Sequence, residues 1–240
     1  MEFINYILTS ILSYFIAGVI HELGHIFVGL ANGWKFWLLV IGPLGIKADD
    51  NDKIKFYFEK NIALWGGVGG TIPKTANKNN IKIWSKVLLG GPLASIIMGI
   101  IFLPIGVMMD NLFLILLGAM ALGMGIVSGL PLPLKTGILF VDGKRWYRLS
   151  HGGQEADEEI ALFNIVEHIN TGGKYSSIKL SSIEALINSK EVGIQYYGYY
   201  SKYQYYKELK EEVEMIEAFE KMENIKSEVP KAIVVDCKID

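Results

Sequence analysis

The first half of the chain consists of long apolar segments separated by short polar ones. Three of the apolar segments reach the length of about 20 residues that a helix needs to cross the hydrocarbon core of a bilayer. They cover residues 3–31, 87–109 and 112–134. Only Asp110 and Asn111 separate the second from the third, which predicts a tight helical hairpin. The pattern therefore predicts a mainly α fold with a core of three transmembrane helices.

The polar segment between the first two spans does not have a helical pattern. Residues 34–46 and 54–58 are rich in aromatic and β-branched side chains, and an acidic turn cluster at 49–52 lies between them. Such composition favours β-strands bounded by a turn. The glycine-rich segment 66–73 is expected to form a loop or an edge strand. We therefore predict that residues 32–86 form a small membrane-associated β-sheet.

From about residue 150 the composition becomes that of a soluble helical domain. Amphipathic helices are predicted at 155–170, 180–189, 192–206 and 208–225. Their pairing is faintly tetratricopeptide-like, without a legible repeat. The third of these helices carries a stripe of tyrosines, namely Tyr196, Tyr199, Tyr200, Tyr203 and Tyr206. Such a stripe is typical of packing between helices, and the alternative is contact with lipid or with a peptide partner. The expected domains are an intramembrane core at 1–148 and a soluble helical domain at 149–240.

Composition and charge narrow the classes of function. Of the 240 residues, 51% are hydrophobic, which is atypical of a soluble domain. A net charge of −2 gives no indication of a nucleic-acid partner. The single cysteine, Cys237, excludes an internal disulfide. The N-terminus lacks the basic region of a cleavable signal peptide, so the first apolar segment is expected to remain as a span.

The distribution of basic residues predicts the orientation in the membrane. Residues 32–86 carry nine lysines against four acidic residues, whereas the N-terminal tail and the Asp110 turn carry no lysine or arginine. Basic residues after the third span are Lys135, Lys144, Arg145 and Arg148. By the positive-inside rule, the 32–86 loop and the C-terminus are expected in the cytoplasm and the N-terminus outside.

The most informative local motif is His21-Glu22-Leu23-Gly24-His25, inside the first span. Residues four apart lie on one face of a helix, so His21 and His25 point the same way. Two imidazoles beside a carboxylate are typical of the zinc site and general base of a metalloprotease. Charged or ionisable groups are costly in lipid unless they have partners or a function. The alternative is a buried histidine pair satisfied by neighbouring helices.

A catalytic zinc usually has three protein ligands and one open position. Asp142, just beyond the third span and on the same predicted side as the histidines, is the best candidate for the third ligand. Asp110 is expected on the opposite side of the membrane. An aspartate before a glycine, as at Asp142, is by itself also typical of a plain turn. His151 and His168 are expected to be surface residues.

Three motifs in order resemble the site-2 protease family of intramembrane zinc metalloproteases. The histidine motif matches the first core helix of the family, and residues 91–95 (GPLAS) resemble its second-helix motif, with Ser95 in place of an asparagine. Residues 128–133 (SGLPLP) and 141–143 (VDG) resemble the third-helix pattern. The resemblance covers about residues 1–148. No segment is long and β-rich enough for the PDZ domain of many members, so a bacterial form without that domain is expected.

The resemblance implies the roles of the site residues. His21, His25 and Asp142 would bind zinc, Glu22 would act as general base, and Ser128 stands where a family asparagine orients the scissile carbonyl. The implied activity is that of a zinc endopeptidase in a bacterial cell membrane. Its substrate would be a membrane-spanning or membrane-bound peptide, cleaved by a zinc-activated water. The 66–73 edge is expected to hold the unwound substrate as an added strand.

Two other classes of function remain open. The first is a catalytically inactive membrane relative that acts as a binding or regulatory module. In that case the C-terminal helices would recruit a peptide or protein partner. The second, a metal transporter, is disfavoured because three spans offer neither repeated halves nor a chain of ionisable residues across the bilayer.

Overall fold

The fold was analysed in a computed structural model that describes residues 2–49, 52–75, 77 and 79–237. Its first half contains three long helices, α1 (Glu2–Ala31), α2 (Asn80–Met108) and α3 (Leu112–Gly129). Within the described residues, these three are long and apolar enough to cross a membrane. The prediction of a mainly helical fold with three membrane-length helices is confirmed. In the predicted acidic turn at 49–52, Asp50 and Asn51 lie outside the described residues.

Small residues allow α1 and α2 to approach closely. A Cβ on Gly24 would lie 2.7 Å from the Ala94 Cβ, and a Cβ on Gly90 would lie 2.6 Å from the Gly24 carbonyl oxygen. Any side chain at either position would therefore push the helices apart. Close backbone contact through glycine and alanine is a common way to pack helices in lipid. The crossing brings the histidine face of α1 against α2.

Helix boundaries differ from the predicted spans in two places. Helix α2 begins at Asn80, seven residues earlier than predicted, because Lys82 and Lys86 interrupt the apolar pattern of its first two turns. Helix α3 ends at Gly129 rather than at 134. Pro131 lacks an N–H group and disfavours helical geometry in the residue before it, and Leu130 is extended accordingly (φ −78°, ψ 149°).

The predicted hairpin between α2 and α3 is present. Asp110 adopts a left-handed conformation with φ 50°, which turns the chain within two residues. The Asn111 side chain accepts a hydrogen bond from the Leu114 N–H group at 3.1 Å and so caps α3.

The segment between α1 and α2 forms a four-stranded antiparallel sheet. Its strands are β1 (Lys35–Ile41), β2 (Leu44–Ala48), β3 (Ile54–Phe58) and β4 (Val68–Ile72), in the order β3-β2-β1-β4. A turn at Gly42 (φ 57°) divides the predicted 34–46 segment into β1 and β2. The glycine-rich 66–73 segment supplies β4, which is an edge strand as expected. A short hairpin, β5 (Lys135–Thr136) and β6 (Leu139–Phe140), follows α3.

The chain divides into two compact units. The first contains residues 1–132 and 141–146, and the second contains residues 133–140 and 147–240. The boundary between an intramembrane core and a soluble domain after residue 148 stays a prediction. After β6 the helices are α4 (Asp142–His151), α5 (Gln154–Asn170), α6 (Leu180–Ile187), α7 (Val192–Leu209), α8 (Glu212–Ile225) and α9 (Lys231–Asp236).

The second unit is a helical assembly with its own apolar cores. Ile165, Ile183 and Leu186 are fully buried in one cluster. Tyr196 is buried with Met222 and Cys237 in another, where Tyr199 and Tyr200 pack against the buried residues. The tyrosine stripe of α7 thus contributes to core packing, one of its two predicted meanings. Helices α5 to α8 agree with the predicted segments to within four residues, whereas α4 and α9 were not predicted.

Candidate metal centre

The two histidines of α1 share one buried face of the helix. His21 is 6% exposed and His25 is 7% exposed. Their Nε2 atoms lie 3.3 Å apart, as expected for residues one helical turn apart that point in the same direction. Two ring nitrogens are thus held side by side within a membrane-length helix.

Asp142 lies beside this pair, although it is 121 residues from His21 in the sequence. Its Oδ2 atom lies 3.2 Å from the His21 Nε2 atom and 3.4 Å from the His25 Nε2 atom. Asp142 begins helix α4, whereas the sequence alone also allowed a plain turn. The next residue, Gly143, has no room for a side chain, because a Cβ there would lie 2.7 Å from the Leu130 carbonyl oxygen. The glycine therefore lets the start of α4 press against the end of α3.

Aromatic stacking anchors the first turn of α4. The Arg145 guanidinium, one turn after Asp142, lies 5.0 Å from the centre of the Trp84 ring on α2. Trp84 in turn stacks on Trp34 with ring centres 6.4 Å apart and planes 13° apart. Cation–π contacts of a desolvated arginine contribute about 2 kcal/mol. Since Arg145 is 7% exposed, this contact helps to keep Asp142 beside the histidines.

The donor set fits a catalytic zinc ion. The ligand atoms of His21, His25 and Asp142 all lie within 4.8 Å of one another. Two imidazole nitrogens and a carboxylate oxygen form a familiar zinc set that leaves a fourth position open. Burial alone would raise the pKa of Asp142, but His25 and His21 outweigh it and lower that pKa below the usual carboxyl value. The carboxyl group is therefore in the charged form that ligates a metal.

Each histidine has a partner on α2 for its other ring nitrogen. His25 Nδ1 lies 2.7 Å from the Val87 carbonyl oxygen, and His21 Nδ1 lies 3.0 Å from Ser95 Oγ. The Val87 carbonyl only accepts, and its contact is shorter than the 3.3 Å between the Gly91 N–H group and the same ring nitrogen, so we assign the hydrogen to His25 Nδ1 and the lone pair to Nε2. Partners of this kind orient metal-binding imidazoles and fix their tautomer. Sequence reasoning gave Ser95 no role, although its place in the GPLAS motif was the signal.

Gly91 leaves the space in front of the two rings open. A Cβ on this residue would lie 2.7 Å from His25 Cε1 and 2.8 Å from His21 Nε2. Any side chain would thus occupy the position between the ring nitrogens. Gly91 is the first residue of the GPLAS motif, so the glycine of that motif keeps the space beside the two imidazole rings free of a side chain.

Glu22 lies between the histidine face and the sheet. Its carboxylate is hydrogen-bonded to the backbone of Gly69 on β4 and interacts electrostatically with His25, His21 and Asp142. A Cβ on Gly67 would lie 3.1 Å from Glu22 Oε1, so the glycine-rich chain passes directly beside the carboxylate. The structure thus brings the predicted base together with the edge strand predicted to hold a substrate.

Ser128 and the other two histidines stand apart from this group. The Ser128 hydroxyl donates to the Met124 carbonyl of its own helix at 2.8 Å. In the described part of the chain, no hydrogen bond joins Ser128 to His21, His25 or Asp142. His151 stacks on Tyr147, and His168 pairs with the Ser177 hydroxyl at 2.8 Å, so neither belongs to the metal-binding group.

The fold and the site define a membrane protein with a buried His/His/Asp centre. The model of peptidase family M50 matches residues 9–234, nearly the whole chain. The chain therefore belongs to peptidase family M50, the site-2 protease family. No curated protein and no solved structure matches it. The family consists of metallopeptidases, so the assignment to the metallopeptidase class rests on the family and on the arrangement of these three residues.

Proposed function

We propose that the protein is a zinc-dependent intramembrane endopeptidase that cleaves a membrane-spanning or membrane-bound peptide. The observation that carries the proposal is the meeting of His21, His25 and Asp142 in a chain of family M50. Asp142 lies 121 residues from His21 in the sequence, yet their side chains are 3.2 Å apart. A simple structural role for two histidines would not require a carboxylate beside both Nε2 atoms.

Zinc would be held by His21 Nε2, His25 Nε2 and an Asp142 carboxylate oxygen. When bound, zinc supplies Lewis-acid chemistry, since it acidifies water and polarises a carbonyl group. Glu22 is the residue that moves the proton: its carboxylate takes one from the attacking water and gives it to the nitrogen of the leaving amine. General acid–base catalysis of this kind contributes typically about 10²–10⁴-fold.

The β4 edge is the proposed place for the substrate. A transmembrane helix keeps its peptide groups within its own hydrogen bonds, so a substrate must unwind before it can be cleaved. β4 pairs with β1 on one side, and its Gly69 lies beside Glu22. An extended peptide added along β4 would form main-chain hydrogen bonds close to the proposed base.

The sheet also supports a location at the lipid bilayer. Cross-strand pairing aligns Leu44 with Phe58 and Ile46 with Phe56 on one face. Leu44, Phe56 and Phe58 are 70%, 79% and 63% exposed, a degree that is unusual for such side chains in water. We propose that this face contacts lipid. The proposed cytoplasmic position of the C-terminus rests on the charge pattern of the sequence, and the proposed bacterial cell membrane rests on the resemblance to family members without a PDZ domain.

The test compares wild type with Glu22→Gln in lipid nanodiscs, using a panel of transmembrane peptides as substrates. We expect both proteins to bind about one zinc ion per chain, and the variant to cleave at least about 10²-fold more slowly. Glu59→Gln, which changes a glutamate outside the site, serves as the matched control and should cleave like wild type. Equal cleavage by Glu22→Gln would contradict the role of the base. Failure of wild type to bind zinc would contradict the proposal as a whole.

An inactive regulatory relative is the second candidate. The hydroxyl of Ser128 already donates to the Met124 carbonyl, which favours this alternative because that proton is engaged within its own helix. Such a protein would bind zinc but cleave none of the panel, and its C-terminal helices would recruit a peptide or protein partner. Zinc-loaded wild type without cleavage, alongside an active family member under the same conditions, would favour this candidate.

A further inference from the structure

We propose that Ser95 is a positioning residue that accepts the Nδ1 hydrogen of His21 and so orients this ring for metal binding. The inference rests on the proposed zinc site but concerns a residue outside the ligand set. Ser95 is fully buried on α2, and its Oγ atom lies 3.0 Å from His21 Nδ1. The contact joins residues 74 positions apart, so it is made by the α1–α2 crossing and by no local motif.

The argument begins with the hydrogen on the imidazole. A neutral histidine carries one ring hydrogen and offers one lone pair, and only the nitrogen with the lone pair ligates a metal. The Nε2 atom of His21 faces Asp142 and His25, so it is the ligand atom. The hydrogen must then reside on Nδ1. In an apolar interior a hydrogen-bond donor without a partner is costly, and Ser95 Oγ is the acceptor beside His21 Nδ1.

His21 and His25 are supported in chemically different ways. His25 donates to the Val87 carbonyl, a backbone group that only accepts and that no substitution removes. Ser95 has a hydroxyl, which accepts from Nδ1–H but is also able to donate to a bare Nδ1. The hydroxyl therefore serves both tautomers of His21, whereas the carbonyl serves a single tautomer of His25. The His21 side is thus the one at which a single substitution removes the partner of the ring nitrogen that does not ligate the metal.

The expected consequence is a loss of metal affinity without loss of the fold. Removal of a partner of this kind typically lowers metal affinity by about 10–100-fold. We expect Ser95→Ala to bind zinc about 10–100-fold more weakly than wild type in competition with a chelator. The matched control is Ser13→Ala. Ser13 is also fully buried in a membrane-length helix, and its hydroxyl lies 3.5 Å from the Phe113 carbonyl, away from the histidines.

A second pair of variants distinguishes the effect of the Ser95 hydroxyl on zinc affinity from the effect of altered packing. Ser95→Thr and Ser95→Val add nearly the same volume to a fully buried position, and only the threonine keeps a hydroxyl. We expect the threonine variant to bind zinc at least about 10-fold more tightly than the valine variant. This difference remains measurable if Ser95→Ala folds poorly, because both substitutions strain the packing alike.

Spectroscopy gives a readout that does not depend on cleavage. The nitrogen chemical shifts of His21 in the zinc-loaded protein should show hydrogen on Nδ1 in wild type, with an altered Nδ1 signal in Ser95→Ala. Unchanged zinc affinity and unchanged Nδ1 shifts in Ser95→Ala, or equal affinities of the threonine and valine variants, would overturn the role of Ser95 alone. Absence of zinc from wild type would instead overturn the metal site and this inference together.

Discussion

Two buried polar clusters show how differently the two units use charge. In the first unit, His21, His25 and Asp142 direct three potential ligand atoms at one small space. In the second unit, Arg148 is hydrogen-bonded to Glu158, and its Nη1 atom lies 3.6 Å from Glu159 Oε1. The arginine and both glutamates are almost fully buried. Helix α4 contributes to both clusters, with Asp142 at its start and Arg148 near its end.

The two clusters differ in the kinds of groups that they contain. Arg148 offers five donors in a fixed planar arrangement, which acidic side chains complement. Its guanidinium carbon also lies 4.9 Å from the centre of the Phe140 ring. The histidine group instead brings three acceptor atoms together, which repel each other unless a proton or a cation lies between them. A cluster that contains its own cation is typical of structure, whereas three acceptor atoms directed at one point are typical of a metal site.

The largest effect is expected from Asp142→Ala. Loss of one of three ligands should reduce bound zinc from about one ion per chain to a small fraction, and cleavage should disappear with it. Metal analysis of the purified protein measures this directly. Asp110→Ala is the matched control, since it removes an acidic residue of the α2–α3 turn and should leave zinc unchanged. Full zinc retention in Asp142→Ala would break the comparison, because the histidines would then have another ligand.

The next prediction concerns the orientation of the first unit in the membrane, and an all-or-none labelling result is expected. The 32–86 segment and the α2–α3 turn should lie on opposite sides. Lys53 beside β3 and Asn111 in the hairpin turn are both exposed. If the lysine-rich loop is cytoplasmic, an impermeant thiol reagent added to intact cells should label Asn111→Cys and spare Lys53→Cys. The intrinsic Cys237 is replaced by serine in both variants. The reverse labelling would invert the orientation predicted from the charges.

Arg148→Met tests the structural cluster of the second unit. Removal of the guanidinium leaves Glu158 and Glu159 buried without their cation. Breaking a buried ion pair in this way lowers the free energy of unfolding by about 3–5 kcal/mol. We expect faster hydrogen exchange across α5, with zinc content unchanged. Lys226→Met provides the control, because the exposed Lys226–Glu223 pair contributes at most about 1 kcal/mol. Wild-type exchange rates in Arg148→Met would show that the arginine is dispensable for stability.

The smallest effect is expected from Ser128→Ala. Its hydroxyl proton is engaged by the Met124 carbonyl, so little of it is available to a substrate carbonyl. We expect the cleavage rate to fall by less than about 10-fold, far less than for Glu22→Gln at 10²–10⁴-fold. Rates measured on one peptide in the same nanodiscs make the comparison. A loss as large as that of Glu22→Gln would mean that the hydroxyl leaves Met124 in the substrate complex.

The sequence predicted most where the signal was local. Apolar length located α1, and the i, i+4 spacing placed His21 and His25 on one face. For the glycine-rich segment 66–73, the sequence predicted either a loop or an edge strand, and the structure contains the edge strand β4. Prediction failed where two local signals competed. At the end of α3, the apolar run to residue 134 was given more weight than Pro131, which in fact ends the helix. At Asp142, the Asp-Gly pair concealed the start of α4.

By itself, the sequence determined most of the helices and strands and the histidine pair on one face of α1, because helix length, strand pattern and the spacing within one helix depend on neighbouring residues. Only the tertiary structure decided which distant groups meet. Asp142 reaches the histidines because Gly143 and Arg145 seat the first turn of α4. Ser95 and Val87 reach them because Gly24 and Gly90 let two helix backbones touch. Such contacts depend on how whole helices cross, and no short-range pattern of residues encodes a crossing.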